Sequence, residues 1–238
     1  MPNARHILVV GGSRGIGKVF ADTCLEKGWN VSVVSRSGKC PAPGVLSLAA
    51  DIGSEEDIQQ FPHEACQKNG PISSLAFFQR ARGEGDMWSE HLLVSVKAID
   101  AVVSASLPFF SPSGDKSILI ASSIAAIVVA PEQNAAYHAS RAAQIGLMRH
   151  LAYSLGPRGI RVNSISLGTV LKPENQDFFY THSKEKKLAE SSSPLGRLGE
   201  AREVAEASEF LCSERASWIT GHNLVCDGGA SLALNANP

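Results

Sequence analysis

The feature that most constrains the fold of this chain is an alternation of short apolar segments with longer amphipathic ones. Most of the short segments are apolar along their whole length, as strands buried on both faces of a parallel sheet are. The strand-length segments are 6–10, 31–35, 45–50, 72–78, 117–123 and 160–166. Helical patterns lie near 15–28, 54–68, 88–107 and 137–155. This order predicts a doubly wound α/β fold with a parallel sheet and helices on both faces.

The chain has the length and composition of one α/β domain. Its 238 residues are 44% hydrophobic, which suffices for one sizeable core. No repeat or linker divides the sequence, so we expect a single domain over residues 1–238. Segment 169–196 interrupts the alternation, and we interpret it as a mobile excursion over the sheet. Its aromatic residues Phe178, Phe179 and Tyr180 would contribute to an apolar substrate pocket.

Charge and cysteine usage exclude several classes of partner. The net charge is −1, with 22 basic and 23 acidic residues, which argues against nucleic acid and anionic membrane. The five cysteines are scattered and form no CxxC or Cys/His cluster, so we expect neither a disulfide framework nor a metal site. The sequence opens without an apolar leader, and no apolar run approaches 18 residues. These features predict a soluble protein of the reducing cytoplasm.

A glycine-rich turn follows the first strand segment. Residues 11–17 read GGSRGIG and lead directly into a helical pattern. Between a strand and a helix, such glycines let the backbone approach a pyrophosphate at the helix N-terminus. Glycines alone would also suit a mere turn, but this placement favours a dinucleotide site. The candidate cofactor residues here are Gly11, Ser13, Arg14, Gly15 and Ile16.

The end of the second strand segment carries hydroxyls and cations. An acidic residue here would bind a ribose 2′-OH, whereas an arginine suits a 2′-phosphate. The sequence has Ser35, Arg36 and Ser37, with Lys39 following, and Arg14 lies in the glycine turn. This set predicts NADPH in preference to NADH. A solvated basic loop is the alternative.

Tyr137 and Arg141 are spaced one turn apart on the helix predicted near 137–155. Both continue an apolar stripe formed by Ile145, Met148, Ala152 and Leu155. They therefore face the sheet, where an unpaired cation is costly and needs a partner or a ligand. A buried tyrosine–arginine brace is the purely structural alternative.

Ser122 and Ser123 end the fifth strand segment. They lie at the carboxyl edge, where open α/β sheets bind ligands. A serine hydroxyl, a tyrosine and a cation can together surround one carbonyl oxygen. Neither serine lies in a GxSxG motif, so nucleophilic hydrolysis by these residues is disfavoured. The seven histidines form no ligand spacing, and we interpret each as a surface or capping residue.

These segments together resemble the short-chain dehydrogenase/reductase family, and the chain is similar to its 3-oxoacyl-acyl-carrier-protein reductase branch. The resemblance covers nearly the whole chain. It rests on the glycine turn at 11–17, AAD-I at 49–52, the serine strand, the tyrosine helix, GIRVNSISLG at 159–168 and ITGHNLVCDGG at 219–229. It implies a Rossmann-type domain with about seven parallel strands, the last near 223–226, and a homo-oligomer, commonly a tetramer through segment 88–107 and the tyrosine helix.

The resemblance also assigns roles to residues. Asp51 and Ile52 match the position that contacts adenine. Gly168, Thr169 and Val170 match the turn beside the nicotinamide. Ser123 matches the serine that polarises the carbonyl, Tyr137 the general acid, and Arg141 the position that holds the nicotinamide ribose.

Several positions depart from the family pattern. Arg141 stands where the family has lysine, and Ser95 where it has the asparagine of a water relay. Residues 77–80 read FFQR in place of Asn-Asn-Ala-Gly, Leu167 replaces a proline, and Val10 replaces a threonine. The gap from Ser123 to the tyrosine is one residue longer than usual, so Ser122 remains an alternative.

Arginine keeps the fixed positive charge of lysine but cannot release its proton. We therefore favour an NADPH-dependent reductase of a ketone or 3-oxoacyl carbonyl. The alternatives are an NADPH-binding regulatory protein without activity and a non-redox enzyme that uses the same pocket. Lys184, Lys186 and Lys187 form either a contact for an acidic carrier protein or a solvated face.

Overall fold

The computed structural model describes residues 5–39, 42–81 and 85–232. Strands and helices alternate along most of this chain. The strands are β1 (His6–Val10), β2 (Asn30–Ser35), β3 (Val45–Ala49), β4 (Ser74–Phe77), β5 (Lys116–Ser123), β6 (Ile160–Leu167), β7 (Val170–Leu171), β8 (Gly199–Glu200) and β9 (Asn223–Cys226). The helices are α1 (Gly15–Glu26), α2 (Glu55–Asn69), α3 (Met87–Leu92), α4 (Ala98–Ser106), α5 (Ala135–Leu155), α6 (Pro173–Thr181), α7 (Ser183–Ser191) and α8 (Ala201–Cys212).

Within the described residues, seven strands form one parallel sheet in the order β3-β2-β1-β4-β5-β6-β9. Every neighbouring pair in this sheet is parallel. The order reverses direction between β1 and β4, which is where sheets of this type bind ligands at their carboxyl edge. The predicted doubly wound fold, including a last strand at 223–226, is confirmed.

Two apolar cores lie on opposite faces of the sheet because side chains alternate along each strand. Leu8 and Val10 of β1 belong to the core under α2, α4 and α5. Ile7 and Val9 of the same strand belong to the core under α1 and α8. Burial on both faces is the reason that the strand segments are apolar throughout.

The helical boundaries differ from the sequence prediction in three places. The helix predicted over 88–107 is interrupted, because residues Leu93–Lys97 form a π-helical turn between α3 and α4. The excursion at 169–196 contains β7 and the two helices α6 and α7. Helix α8 was not predicted, although Val204, Ala205 and Leu211 give it an apolar face that packs in the core with α1.

The stretch Met87–Phe109 is long and apolar enough to cross a membrane by length and composition alone, with a mean hydropathy of 1.6. The prediction that no apolar segment approaches 18 residues is therefore wrong for this stretch. In the fold, Ile99, Val102 and Val103 of this stretch pack in the core against the sheet. Core packing explains the apolar character of its second half.

A charged cluster ties the amino edge of the sheet to the end of α8. Asp115 accepts from Arg161 Nε at 2.8 Å and from Arg161 Nη2 at 3.0 Å, and Arg5 Nη2 lies 3.0 Å from the same carboxylate. Arg161 also donates to the carbonyl oxygens of Leu211 and Ser213 at 2.9 and 3.0 Å. Burial alone would raise the pKa of Asp115, but the contacts with Arg161 and Arg5 outweigh it and hold the pKa below the usual range.

The interpretation of all histidines as surface or capping residues is wrong for His6 and His91. His6 is buried in β1, where Nδ1 donates to the carbonyl oxygen of Gly70 at 2.6 Å and Nε2 lies 2.8 Å from Ser32 Oγ. Burial lowers the pKa of His6, so a neutral ring with both nitrogens paired suits this position. His91 is buried beside the candidate site described below.

The described cysteines Cys24, Cys66, Cys212 and Cys226 are free thiols. Cys24 and Cys212 are completely or almost completely buried in the core between α1 and α8. Cys40 lies outside the described residues.

Candidate active site

A cleft of about 1280 Å³ lies at the carboxyl edge of the sheet. All but one of the candidate catalytic and cofactor-binding residues taken from the sequence line this cleft. They are Gly11, Ser13, Arg14, Gly15, Ile16, Ser35, Arg36, Ser37, Asp51, Ile52, Ser123, Tyr137, Arg141, Gly168, Thr169 and Val170. The exception is Ser95, which is completely buried in the π-helical turn and does not line the cleft. Phe178, Phe179 and Tyr180 of α6, which we expected to contribute to an apolar substrate pocket, do not line this cleft either.

The glycine turn closes tightly against the next strand. Gly11 has φ of +81°, and a Cβ at this position would lie 2.6 Å from the backbone nitrogen of Gln79, which follows β4. A side chain here would need both an unfavourable backbone conformation and a displaced neighbour. The turn therefore brings the N-terminus of α1 to the cleft.

The side-chain carboxylate of Glu174 lies at the N-terminus of α1. The backbone N–H of Gly15, the first residue of α1, donates to Glu174 Oε1 of α6 at 2.6 Å. The carboxylate oxygen occupies the kind of position that a phosphate oxygen takes at a helix N-terminus. The residues present thus fit a pyrophosphate group, and the contact also places α6 over the glycine turn.

The polar end of the cleft carries exposed cations. Arg14, Arg36 and Lys39 are exposed and line the cleft. None of the three forms an ion pair within residues 5–39, 42–81 and 85–232. Ser35 Oγ and Ser37 Oγ lie 3.4 Å apart beside them. These groups fit a 2′-phosphate, which would accept from both the hydroxyls and the guanidinium groups.

Local hydrogen bonds order the two remaining segments predicted to bind the cofactor, at Asp51 and at Gly168. Asp51 Oδ1 accepts from the backbone N–H of Gly53 at 2.9 Å, which orders the turn after β3. Gly168 donates to the carbonyl oxygen of Cys226 at 3.1 Å, and a Cβ on it would lie 2.8 Å from Asp227 Cα. Only a glycine fits this close approach of β6 to the chain after β9.

The two serines that end β5 differ in what their hydroxyls do. Ser122 is buried, and its hydroxyl donates to the carbonyl oxygen of Arg141 at 3.1 Å. Ser123 is only partly buried, and its oxygen accepts from the backbone N–H of Ala125 at 3.2 Å. The hydroxyl proton of Ser123 therefore remains available to a ligand, whereas that of Ser122 is used within the fold.

Arg141 lies against Tyr137 rather than in open solvent. Its Cζ lies 4.7 Å from the centroid of the tyrosine ring, and only 4% of the residue is exposed. Nη1 donates to Gln144 Oε1 at 3.1 Å and to the carbonyl oxygen of Ala121 at 3.4 Å. Burial lowers the pKa of Arg141, and its interaction with Tyr137 opposes that shift.

Two residues that we did not predict also contact the Tyr137 ring. Arg80 Cζ lies 5.5 Å from the ring centroid, and the His91 ring meets it edge-on at 5.7 Å between centroids. Burial lowers the pKa of His91, and the charges of Arg141 and Arg80 lower it further. The signals were present in the sequence: Arg80 follows a strand at the carboxyl edge, and His91 precedes Ser95 by four residues.

Several buried polar atoms near Tyr137 have no hydrogen-bond partner among the described residues. They are Gln79 Oε1, His91 Nδ1, Ser95 Oγ and Arg141 Nε. Gln79 Nε2 donates to the carbonyl oxygen of Val94 at 3.2 Å, which connects the end of β4 to the π-helical turn. Gln79 and Arg141 line the cleft, where water or a ligand would meet their unpaired atoms, whereas Ser95 and His91 do not line it. Unpaired buried polar groups of this kind are costly. In the part of the chain that the structure describes, no group of three or more metal-ligating side chains occurs.

Comparison with known proteins identifies the family. A family model described as enoyl-(acyl carrier protein) reductase matches residues 10–231. The chain belongs to the short-chain dehydrogenase/reductase family. Isoepoxydon dehydrogenase of Aspergillus clavatus is 31% identical, over 94% of this chain and 93% of that protein. Human dehydrogenase/reductase SDR family member 4 is also 31% identical, over 95% of this chain and 87% of that protein.

Solved structures of short-chain dehydrogenases share this architecture. Ligand-free aldohexose dehydrogenase of Thermoplasma acidophilum superposes with a TM-score of 0.89 at 23% identity, covering 99% of this chain and 97% of that one. The Pseudomonas aeruginosa RhlG/NADP active-site complex gives 0.87 at 25% identity, covering 97% of both chains. As a member of this family, the protein is an oxidoreductase of the type that uses a nicotinamide cofactor.

Proposed function

We propose that this protein is an NADPH-dependent reductase that converts a ketone or 3-oxoacyl carbonyl to an alcohol. The observation that carries the proposal is the continuity of one cleft, which joins the cations around Arg36 to Ser123 and Tyr137. A cofactor that extends along this cleft from a 2′-phosphate to a nicotinamide would end beside a hydroxyl and a phenol.

The preference for NADPH rests on charge. Arg14, Arg36 and Lys39 would surround the 2′-phosphate, and no acidic side chain stands at the end of β2, where a ribose hydroxyl would need one. The Gly15 N–H would take a pyrophosphate oxygen in place of Glu174. That RhlG, a structural relative at 25% identity, forms an NADP complex agrees with this choice. A cofactor held by these residues would supply the hydride for the carbonyl carbon.

Tyr137 and Ser123 would act on the carbonyl oxygen. The Tyr137 phenol gives its proton to the oxygen, while the Ser123 hydroxyl donates a hydrogen bond that holds it. Ser122 is the weaker choice because its hydroxyl already donates to the Arg141 carbonyl. Arg141 supplies a fixed positive charge next to the phenol, but it keeps its own proton, so proton return to Tyr137 requires another source.

A non-enzymatic NADPH-binding regulatory protein is the second candidate. The stacking of Arg141 on Tyr137, with Nη1 bonded to Gln144 and Ala121, favours it, because these contacts are those of a structural brace. In that case the cofactor site would serve binding alone.

Turnover separates the two candidates. NADPH oxidation would be followed with a broad panel of ketones and 3-oxoacyl thioesters for the wild type, for Tyr137→Phe and for the control Tyr153→Phe, whose residue is 88% exposed. We expect reduction by the wild type and the control, and its loss in Tyr137→Phe with NADPH affinity retained. Equal rates for the wild type and Tyr137→Phe on every carbonyl, with NADPH bound by both, would replace the reductase with the regulatory protein.

We also propose that the protein is a cytoplasmic homo-oligomer, a tetramer as is common in this family, with a small carbonyl compound as its substrate. Trp88, Leu92 and Leu93 support an interface on α3 and the π-helical turn, since they are 49%, 41% and 38% exposed. Large apolar side chains that are exposed together on one helical segment are commonly covered by a partner. Light scattering at micromolar concentration tests it, and a monomer would contradict the proposal.

A further inference from the structure

Tyr137 has a second cation against its ring, and this one faces the cleft. Arg80 follows β4 at the carboxyl edge of the sheet, its Cζ lies 5.5 Å from the ring centroid, and the residue is exposed. It lines the same cleft as Ser123 and Tyr137. A carbonyl compound placed at the Tyr137 hydroxyl would therefore have a guanidinium group at hand.

The two arginines beside Tyr137 differ in what they are free to bind. Arg141 is buried and its Nη1 donates to Gln144 and to the Ala121 carbonyl. Arg80 forms no ion pair within the described residues, and its contact there is with the Tyr137 ring. Its five N–H donors, in a planar fork that matches a carboxylate, remain available on the cleft side.

We propose that the substrate is an oxo acid whose carboxylate binds Arg80 while its carbonyl oxygen meets Tyr137 and Ser123. The inference rests on the reductase function proposed above and names the substrate class of the same site. A guanidinium–carboxylate pair is charge-assisted and often bidentate, so it fixes orientation as well as affinity. A 3-oxoacyl thioester has no free carboxylate near its carbonyl, and the carrier-bound alternative would leave Arg80 unused.

Carboxylates that line the cleft partly offset the positive charge of Arg80 and the other cations. Glu90 and Glu132 lie among the lining residues, so the cleft as a whole is not uniformly positive. Selection for an anion then depends on the local contact with Arg80 and not on the overall field. A substrate must place its carboxylate within reach of Arg80, which favours oxo acids with a short spacing between the carbonyl and the carboxylate.

Paired substrates separate recognition of the anion from packing of Arg80 on the ring. The panel would contain 2-oxo, 3-oxo and 4-oxo acids, each with its methyl ester, tested on the wild type, Arg80→Gln and Arg80→Lys. Arg149→Gln is the matched control, because Arg149 is exposed and lies outside the cleft. We expect the wild type and the control to show a kcat/KM for at least one acid that is about tenfold or more above that for its ester.

In Arg80→Gln the acid-to-ester ratio should fall to near one, mainly through the KM of the acid, with Arg80→Lys in between. Equal use of acids and esters by the wild type, or an equal loss for both in Arg80→Gln, would overturn the oxo-acid assignment while the reductase stands.

Binding without turnover provides a second measurement. Hydroxy acids and their methyl esters would be titrated calorimetrically into each protein in the presence of NADPH, a combination that cannot react. We expect tighter binding of the acid than of the ester, and loss of that difference in Arg80→Gln. If no carbonyl is reduced while the wild type still binds the acid more tightly than the ester, the anion site stands and the reductase function fails. If the wild type binds the acid and the ester equally, the anion site fails.

Discussion

The guanidinium group of Arg141 lies over the ring of Tyr137, with Cζ 4.7 Å from the ring centroid, one helical turn further along α5. The same group donates from Nη1 to Gln144 and to the backbone of β5. The pair thus combines two roles, a fixed charge beside the phenol and a brace between α5 and the sheet, and substitutions can separate them.

Arg141→Lys should keep reductase turnover within about threefold of the wild type or raise it, because lysine retains the charge and can release a proton. The same change should lower the free energy of unfolding by about 1 kcal/mol, since the planar donors to Gln144 and Ala121 are lost. Arg141→Met, which keeps the stem without the charge, should lose turnover. Steady-state rates and urea denaturation of both variants measure the two roles. A strong fall of turnover in Arg141→Lys would mean that the pocket is built around the guanidinium group.

Arg36→Asp should reverse or abolish a preference for NADPH over NADH. The change removes a charge-assisted contact worth about 1.5–3 kcal/mol, or roughly tenfold or more in Kd, and adds repulsion to a 2′-phosphate. Fluorescence titration with both cofactors measures the ratio, and Arg149→Asp on the exposed side of α5 is the control. Equal dissociation constants for the two cofactors in the wild type would show that the cations at this end do not select.

Glu174→Ala should tighten NADPH binding by about fivefold, which corresponds to about 1 kcal/mol for an exposed charged contact. The Glu174 carboxylate occupies the Gly15 N–H at 2.6 Å and carries a charge that repels a phosphate. The gain should shrink at high salt because the interaction is screened. Glu185→Ala on α7 serves as the control, since Glu185 is exposed and does not line the cleft. Weaker binding in Glu174→Ala would instead indicate that α6 holds the cofactor through this residue.

Asp115→Asn should lower the free energy of unfolding at pH 7 by about 3 kcal/mol or more, because buried Arg161 loses its carboxylate partner. Arg5 would keep its longer contact of 3.7 Å with the exposed Glu214. The folded-state pKa of Asp115 lies below its ordinary value of 3.8. Its contribution is therefore fully present above that value and is lost as the pH falls through the folded-state pKa. Denaturant titrations should show a wide gap between variant and wild type at pH 7 and a smaller one near pH 3. The exposed Asp100→Asn should show no gap at either pH.

The sheet could be predicted because each of its central strands is buried on both faces and is apolar for that reason. The interruption of the helix predicted over 88–107 could not be predicted. The π-helical turn at Leu93–Lys97 changes the backbone hydrogen-bond register, and no residue type in this segment indicates that change. Helix α8 has an amphipathic pattern from which it could have been predicted, but it lies outside the regular alternation of strand and helix segments.

For the site, the spacing of Tyr137 and Arg141 could be predicted because both lie on one helix. The approach of Arg80 and His91 to Tyr137 depends on how β4 and α3 pack against α5, and the sequence does not encode such a contact locally.

The reactivity of the buried thiols of Cys24 and Cys212 can report local opening of the fold between α1 and α8. Burial raises the pKa of Cys24 far above the usual range and that of Cys212 to about 12, so in the closed fold neither sulfur supplies the thiolate that alkylating reagents attack. Both sit where α1 meets α8, on the face away from Tyr137. The rate at which an alkylating reagent labels these thiols in native buffer therefore reports how often α1 and α8 open locally. NADPH bound at the N-terminus of α1 should lower this labelling rate, because it stabilises the closed fold.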